Sequence, residues 1–103
     1  ILASGETDII TDGESIAYIH NGTPQLTQLT GTGCLLGALC GCYLSVEQSI
    51  NSLITGCVMV GVCGQLSETE KGNGSFGLNL MDYLSVISDT QIENLLDFEV
   101  KKL

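Results

Sequence analysis

The sequence predicts a mixed α/β fold, a β-hairpin followed by a group of helices. Three observations carry this. Asp12-Gly13, a strong hairpin turn signal, separates the short β-type runs Thr7–Thr11 and Ser15–His20. Leu35–Val46 and Ile50–Leu66 are apolar segments of helix length. Ser88, with Gln91 one helical turn later, forms a capping-box pattern that opens a final helix.

The elements follow in order. Ile1–Ser4 reads as the end of a buried strand, so residues 1–103 read as a fragment, either a processed piece or the C-terminal part of a single larger domain. Asn21-Gly22-Thr23-Pro24 is loop chemistry, and Gln25–Thr30 reads as extended or loop. Leu35–Val46 is apolar on every side, which predicts a buried helix, with Gly37 and Gly41 allowing close packing. In the next helix Ile50, Leu53, Ile54, Cys57, Val58 and Gly61 recur at the spacing of one helix face. Gly56, Gly61 and Gly64 each cost that helix about 1 kcal/mol relative to Ala, a cost that close packing would offset. Ser67–Ser75 is a polar, Gly-rich loop. Phe76–Ile87 carries Leu80, Leu84 and Ile87 at helical spacing. The last helix, Thr90–Phe98, turns Ile92, Leu95 and Leu96 inward. Lys101 and Lys102 lie past its end, where positive charge suits the helix dipole.

Composition narrows the function. The 103 residues hold twelve acids against three bases, a formal net charge of −9, and are 44% hydrophobic. That is too apolar for a disordered segment. The only bases are Lys71, Lys101 and Lys102, and between Glu14 and Glu68 the only acid is Glu47. Nucleic acid and anionic membrane surfaces both call for a basic face, so neither is an expected partner. Ile50–Leu66 is near the lower length limit for a membrane span, contains polar residues and has acidic flanks, so the expectation is a soluble core helix. The five cysteines, at 34, 40, 42, 57 and 63, cluster in the apolar middle without a C-x-x-C pair. They read as reduced thiols, no metal site is expected among them, and the expected compartment is the cytoplasm.

The chemistry concentrates at Gly31-Thr32-Gly33-Cys34, which runs into a helix. The first amides of a helix lack internal partners, and its dipole favours negative charge there. The amides of Thr32, Gly33 and Cys34 could therefore hold a phosphate or a developing anion. With no basic side chain before Lys71, such an anion must rely on backbone amides, a metal ion or groups elsewhere. The Walker A lysine is missing. The same dipole favours a thiolate at Cys34, which makes it a candidate nucleophile or proton acceptor. Tight connection and simple packing are the competing readings of this turn, and packing is the reading for Cys40, Cys42, Cys57 and Cys63. His20 reads as a strand end, and a Cys–His pair rests on composition alone. Glu6 and Asp8 read as a polar hairpin face, with metal contact as the alternative. Asp89, Glu93, Asp97 and Glu99 read as a solvated helix surface.

Four blocks carry a resemblance: Ser4-Gly5-Glu6-x-Asp8, His20-Asn21-Gly22, Leu26-Thr27-x-Leu29 running through Thr30-Gly31-Thr32-Gly33-Cys34-Leu35-Leu36, and Lys71-Gly72-x-Gly74-Ser75-Phe76. Together they resemble the C-terminal part of the hydroxyethylthiazole kinases, of the ribokinase-like superfamily. The resemblance implies a three-layer fold with helices on both sides of a mainly parallel sheet. It implies transfer of the ATP γ-phosphoryl group to the primary alcohol of 4-methyl-5-(2-hydroxyethyl)thiazole with Mg²⁺, in a homotrimer with sites between subunits. By position Ser4 matches an ATP-contacting residue and Gly31 a substrate-contacting glycine. Cys34 falls where most ribokinase relatives carry an aspartate as general base. Asn73 stands where the family's loop usually has proline, which implies a looser turn. The first half of such a site lies outside these residues, so the piece alone is expected neither to fold well nor to catalyse. The alternatives are a related kinase of the hydroxymethylpyrimidine type, which an aspartate at position 34 would favour, and a catalytically silent ATP-binding subunit.

Overall fold

The computed structural model describes residues 1–103. The chain runs β1 (Leu2–Ala3), β2 (Asp8–Thr11), β3 (Ser15–Ile19), α1 (Gln25–Gln28), α2 (Thr32–Val46), α3 (Ile50–Ser67), α4 (Asn73–Val86), α5 (Asp89–Leu95) and β4 (Phe98–Lys102). The strands form one sheet in the order β1-β2-β3-β4. All three pairings are antiparallel, as the expected β-hairpin requires; the mainly parallel sheet is an expectation for the whole fold, of which this is one part. The cause is the connectivity: tight turns join β1, β2 and β3, and β4 returns beside β3 after the helices, with no parallel crossover among them.

The predicted hairpin is present, and Asp12 makes it. Its Oδ1 accepts the amides of Glu14 (2.9 Å) and Ser15 (2.8 Å), which holds the carboxyl below its ordinary range. The Thr11 hydroxyl donates to the Ser15 carbonyl across the turn. Ile1–Ser4 does contain a strand, but Ile1 and Ala3 are exposed because β1 is the sheet edge.

Alternation sends Ile10, Ala17 and Ile19 to one face of the sheet, where all three are fully buried. There they join a core with Leu36, Cys40, Ile54, Cys57, Val58, Val60 and Val62. A second cluster, Cys63, Phe76 and Leu80, joins α3 to α4. α3 is thus the central element, packed on α2, α4, β2 and β3. It is long and apolar enough to cross a membrane, and here 61% of that apolar window is buried inside the fold. The glycines expected to help packing do so on this helix. A Cβ at Gly61 would lie 2.7 Å from the Asn21 carbonyl oxygen, so only hydrogen lets the loop pass this close.

α2 departs from the expectation. Only Leu36 and Cys40 are buried in it, because α3 covers one side and nothing in this chain covers the other. Cys34, Gly37, Ala38, Gly41 and Cys42 lie on the exposed side, so Cys42 does not pack in the core and Gly37 and Gly41 meet no neighbour.

Four boundaries shift. Gln25–Gln28 is a short helix, because Pro24 already has helical angles and Gln25 exchanges two hydrogen bonds with the Thr69 backbone. α4 begins at Asn73, whose Nδ2 donates to the Gln28 carbonyl (3.2 Å). The residue replacing the family's proline therefore ties this turn to α1. α5 carries the predicted capping box from Ser88 and Gln91 but ends at Leu95. Phe98–Lys102 is a strand, so Lys101 and Lys102 face no helix end; Lys101 lies over the Tyr18 ring, 5.7 Å from its centroid.

Candidate functional site

A cleft of about 770 Å³ opens between the β1–β2 tip, the loop after β3, and the starts of α1 and α2. Ser4, Gly5, Glu6 and Asp8 supply one wall, and His20 to Thr23 another. Thr32, Gly33 and Leu36 come from α2, and Cys57, Val60 and Gly61 of α3 form the floor. The sequence-separated candidates Ser4, Thr32 and Gly33 therefore share one cavity. Gly31 and Cys34 flank it without lining it. No lysine lines the cleft, which has Glu6 and Asp8 as its acids.

The turn before α2 is built for open amides. Gly31 is the N-cap, with φ of 98°, a left-handed conformation that favours glycine. No side chain caps this helix. The first helical bond runs from the Leu35 amide to the Gly31 carbonyl (2.9 Å), which leaves the Thr32, Gly33 and Cys34 amides as the ones a helix cannot satisfy itself. The Thr32 hydroxyl is already used, donating to the Leu26 carbonyl (2.8 Å) and fixing the turn against α1. Cys34 is an exposed free thiol in the first turn.

The floor is acidic and thiol-lined. Asp8 Oδ1 accepts the Gly5 amide (3.1 Å), while burial pushes its carboxyl above the usual carboxylate range. The Cys57 thiol lies beside it, and burial together with the Asp8 charge pushes that thiol strongly up. Cys40, next to Cys57, shifts the same way, chiefly by burial. Both are neutral packing thiols at physiological pH. Burial likewise pushes Cys63 up to about 11.

The His-Asn-Gly block, read from sequence as a strand end and loop, is a structural clasp. Asn21 is buried and uses its whole amide. Nδ2 donates to Gln65 Oε1 (2.7 Å) and the Leu95 carbonyl (2.6 Å), and Oδ1 accepts the Asp97 amide (2.9 Å). His20 Nδ1 is hydrogen-bonded to Thr7 Oγ1 (3.2 Å) and its Nε2 faces Glu99 at 3.7 Å, so its partners are a hydroxyl and a carboxylate, not a cysteine. Asp97 and Glu99 thus belong to the segment that clasps β3, not to a helix surface. The missed signal was alternation: Phe98 and Val100 are interleaved with Glu99 and Lys101, the period of a strand.

Residues 1–90 match the hydroxyethylthiazole kinase family. The chain belongs to that family. It is 39% identical over 97 residues to hydroxyethylthiazole kinase 1 of Methanosphaera stadtmanae, covering 89% of this chain and 34% of that protein. Similarity to the Histophilus somni hydroxyethylthiazole kinase is 36% over 97 residues, covering 88% and 36%. The solved structure of a hydroxyethylthiazole kinase protein from Pyrococcus horikoshii OT3 superposes with a TM-score of 0.92 at 28% identity, covering 97% of this chain and 40% of that one. The chain thus spans about a third of the length of the curated relatives it matches, and its α/β architecture is that of one part of the kinase fold.

Proposed function

We propose that these residues form the phosphoryl-transfer side of a kinase that phosphorylates the primary alcohol of hydroxyethylthiazole with ATP, in thiamin salvage. The observation that carries this reading is the convergence of Ser4, Thr32 and Gly33 on one cleft in a chain of this family. Phosphoryl transfer needs mostly positioning and charge stabilisation. In this reading the substrate oxygen attacks the γ-phosphorus, the bond to the β-phosphate oxygen breaks, and ADP leaves. The amides of Thr32, Gly33 and Cys34 stabilise the charge on the transferring group, Ser4 contacts ATP and Gly31 contacts the alcohol. Cys34, one residue beyond the cleft wall, takes the hydroxyl proton. The uncapped start of α2 supports the first of these roles.

ATP is the phosphoryl donor of this reading, and Mg²⁺ accompanies it in the family expectation. Within this chain no group of three metal-ligating side chains exists. Asp8 spends one oxygen on the Gly5 amide, and burial disfavours its charge. These residues alone do not make a magnesium site. The uncovered side of α2 supports a neighbouring surface there, which fits a homotrimer with sites between subunits. The cytoplasm is the proposed compartment.

The test is ADP release by the complete protein, with hydroxyethylthiazole and hydroxymethylpyrimidine compared side by side. The reading predicts turnover with the thiazole. Turnover with the pyrimidine alone would move the protein to the related kinases. ATP binding without turnover of either would make it a silent subunit.

A further inference from the structure

The β1–β2 tip has little to hold it. β1 is two residues long, and Ser4, Gly5 and Glu6 are all exposed. The Ser4 side chain has no hydrogen-bond partner within the chain. At the base of the tip, Asp8 pairs with Ile19 in the sheet, on the side that faces α3. Its carboxyl accepts the Gly5 amide at 3.1 Å and sits beside Cys57 on the cleft floor. An acid is a costly choice there. Burial disfavours its charge, no lysine or arginine lines the cleft, and the proposed ligand is an anion. An acceptor that draws one backbone amide inward would justify it, because a hydrogen bond to an ionised acceptor is about twice as strong as a neutral one.

We propose that Asp8 is a positioning residue: by accepting the Gly5 amide it holds the Ser4-Gly5 turn against the α3 floor and so fixes the Ser4 hydroxyl over the cleft for ATP. The inference rests on the ATP reading of the cleft given above. It makes Asp8 a determinant of nucleotide affinity rather than of the acceptor alcohol.

The test uses the complete protein and measures ATP affinity by titration calorimetry beside the KM values for ATP and for hydroxyethylthiazole. Asp8→Ala should weaken ATP binding about tenfold, with the KM for the alcohol and the melting temperature little changed. Asp8→Asn, whose amide oxygen can still accept from Gly5, should recover most of the affinity. Asp8→Glu keeps the charge but moves it by one methylene, so it should weaken ATP as the alanine does; it gives the same reading if the alanine variant fails to fold. Equal ATP affinity in wild type, Ala and Glu variants would overturn the inference. So would an equal loss for both substrates that the Asn variant does not rescue. If the wild type binds ATP but transfers nothing, the kinase reading fails while the affinity series still decides the role of Asp8. If the wild type binds no ATP, both fall.

Discussion

Cys34 stands where a general base is expected, yet it is a thiol on the exposed first turn of α2, next to the cleft-lining Gly33. In the proposed reaction the alcohol need not lose its proton early in a loose transition state, and on that reading the thiol tunes the rate more than it enables the reaction. Cys34→Ser should lower kcat while leaving the KM for ATP within about twofold, and Cys34→Asp should keep turnover. A folded but inactive Asp variant would count against the base role. Asn21 is the opposite kind of residue. Its three hydrogen bonds join the loop after β3 to α3 and to the segment before β4. Asn21→Ala should therefore cost about 2–4 kcal/mol in denaturant unfolding, and a loss under about 0.5 kcal/mol would disprove the clasp. Asp8 supplies a pH signature. Its folded value is raised above 3.8, so the folded chain takes up this proton before the unfolded chain does. The burial penalty is full above the folded value and fades as pH falls through it toward the unfolded one. Asp8→Asn should then raise the melting temperature at neutral pH, and the gain should shrink in acid; a gain independent of pH would refute this. The turn at 31–34 was legible in sequence because glycine and helix-start chemistry are local. The role of Asn21 was not, because its partners lie at Gln65, Leu95 and Asp97, far along the chain.

Among the elements, the same division holds. The Asp12-Gly13 hairpin and the Ser88–Gln91 box were readable, since each is set by neighbours within a turn of chain. One face of α3 was readable too, but Val60, Val62 and Cys63 on its other sides are also buried, because α2, α4 and the sheet surround it. α1 was not readable, because it exists through Gln25 bonding to Thr69, a contact that no local pattern announces. β4 carried the alternation of a strand, but its partner, β3, lies far back along the chain. The close approach of α3 to the Asn21 loop is a packing constraint made by backbone. Gly61→Ala would place a methyl 2.7 Å from the Asn21 carbonyl oxygen. It should cost about 1–3 kcal/mol and loosen the cleft wall, visible as faster amide exchange at Asn21 and Gly22. Stability at or above wild type would show that the loop can retreat freely.

At the scale of the whole molecule, the exposed apolar surface is of the kind that another surface covers. Leu78, Met81 and Val86 of α4 are 70%, 59% and 71% exposed, and α2 offers a face of small residues. Relatives about three times as long supply the natural explanation, the rest of a kinase or a neighbouring subunit. Gly37 tests it, since nothing in this chain lies within reach of a Cβ there. An uncovered helix would gain about 1 kcal/mol from Gly37→Ala, whereas a covered one would be strained. The complete protein should therefore melt lower with the alanine; a higher melting temperature would mean that α2 stays bare. The long stretch with Glu47 as its only charge has the composition of an interior, which agrees with this need for cover. What it could not supply was which side of α2 is covered by α3. The most direct measurement of the central claim follows the γ-phosphoryl group of ATP by phosphorus NMR in the complete protein with hydroxyethylthiazole. The account predicts that the γ-phosphate signal is replaced by one phosphate-ester resonance, on the thiazole's primary alcohol, growing in step with the two resonances of ADP. Inorganic phosphate as the only product, or an ATP signal that does not change, would contradict it.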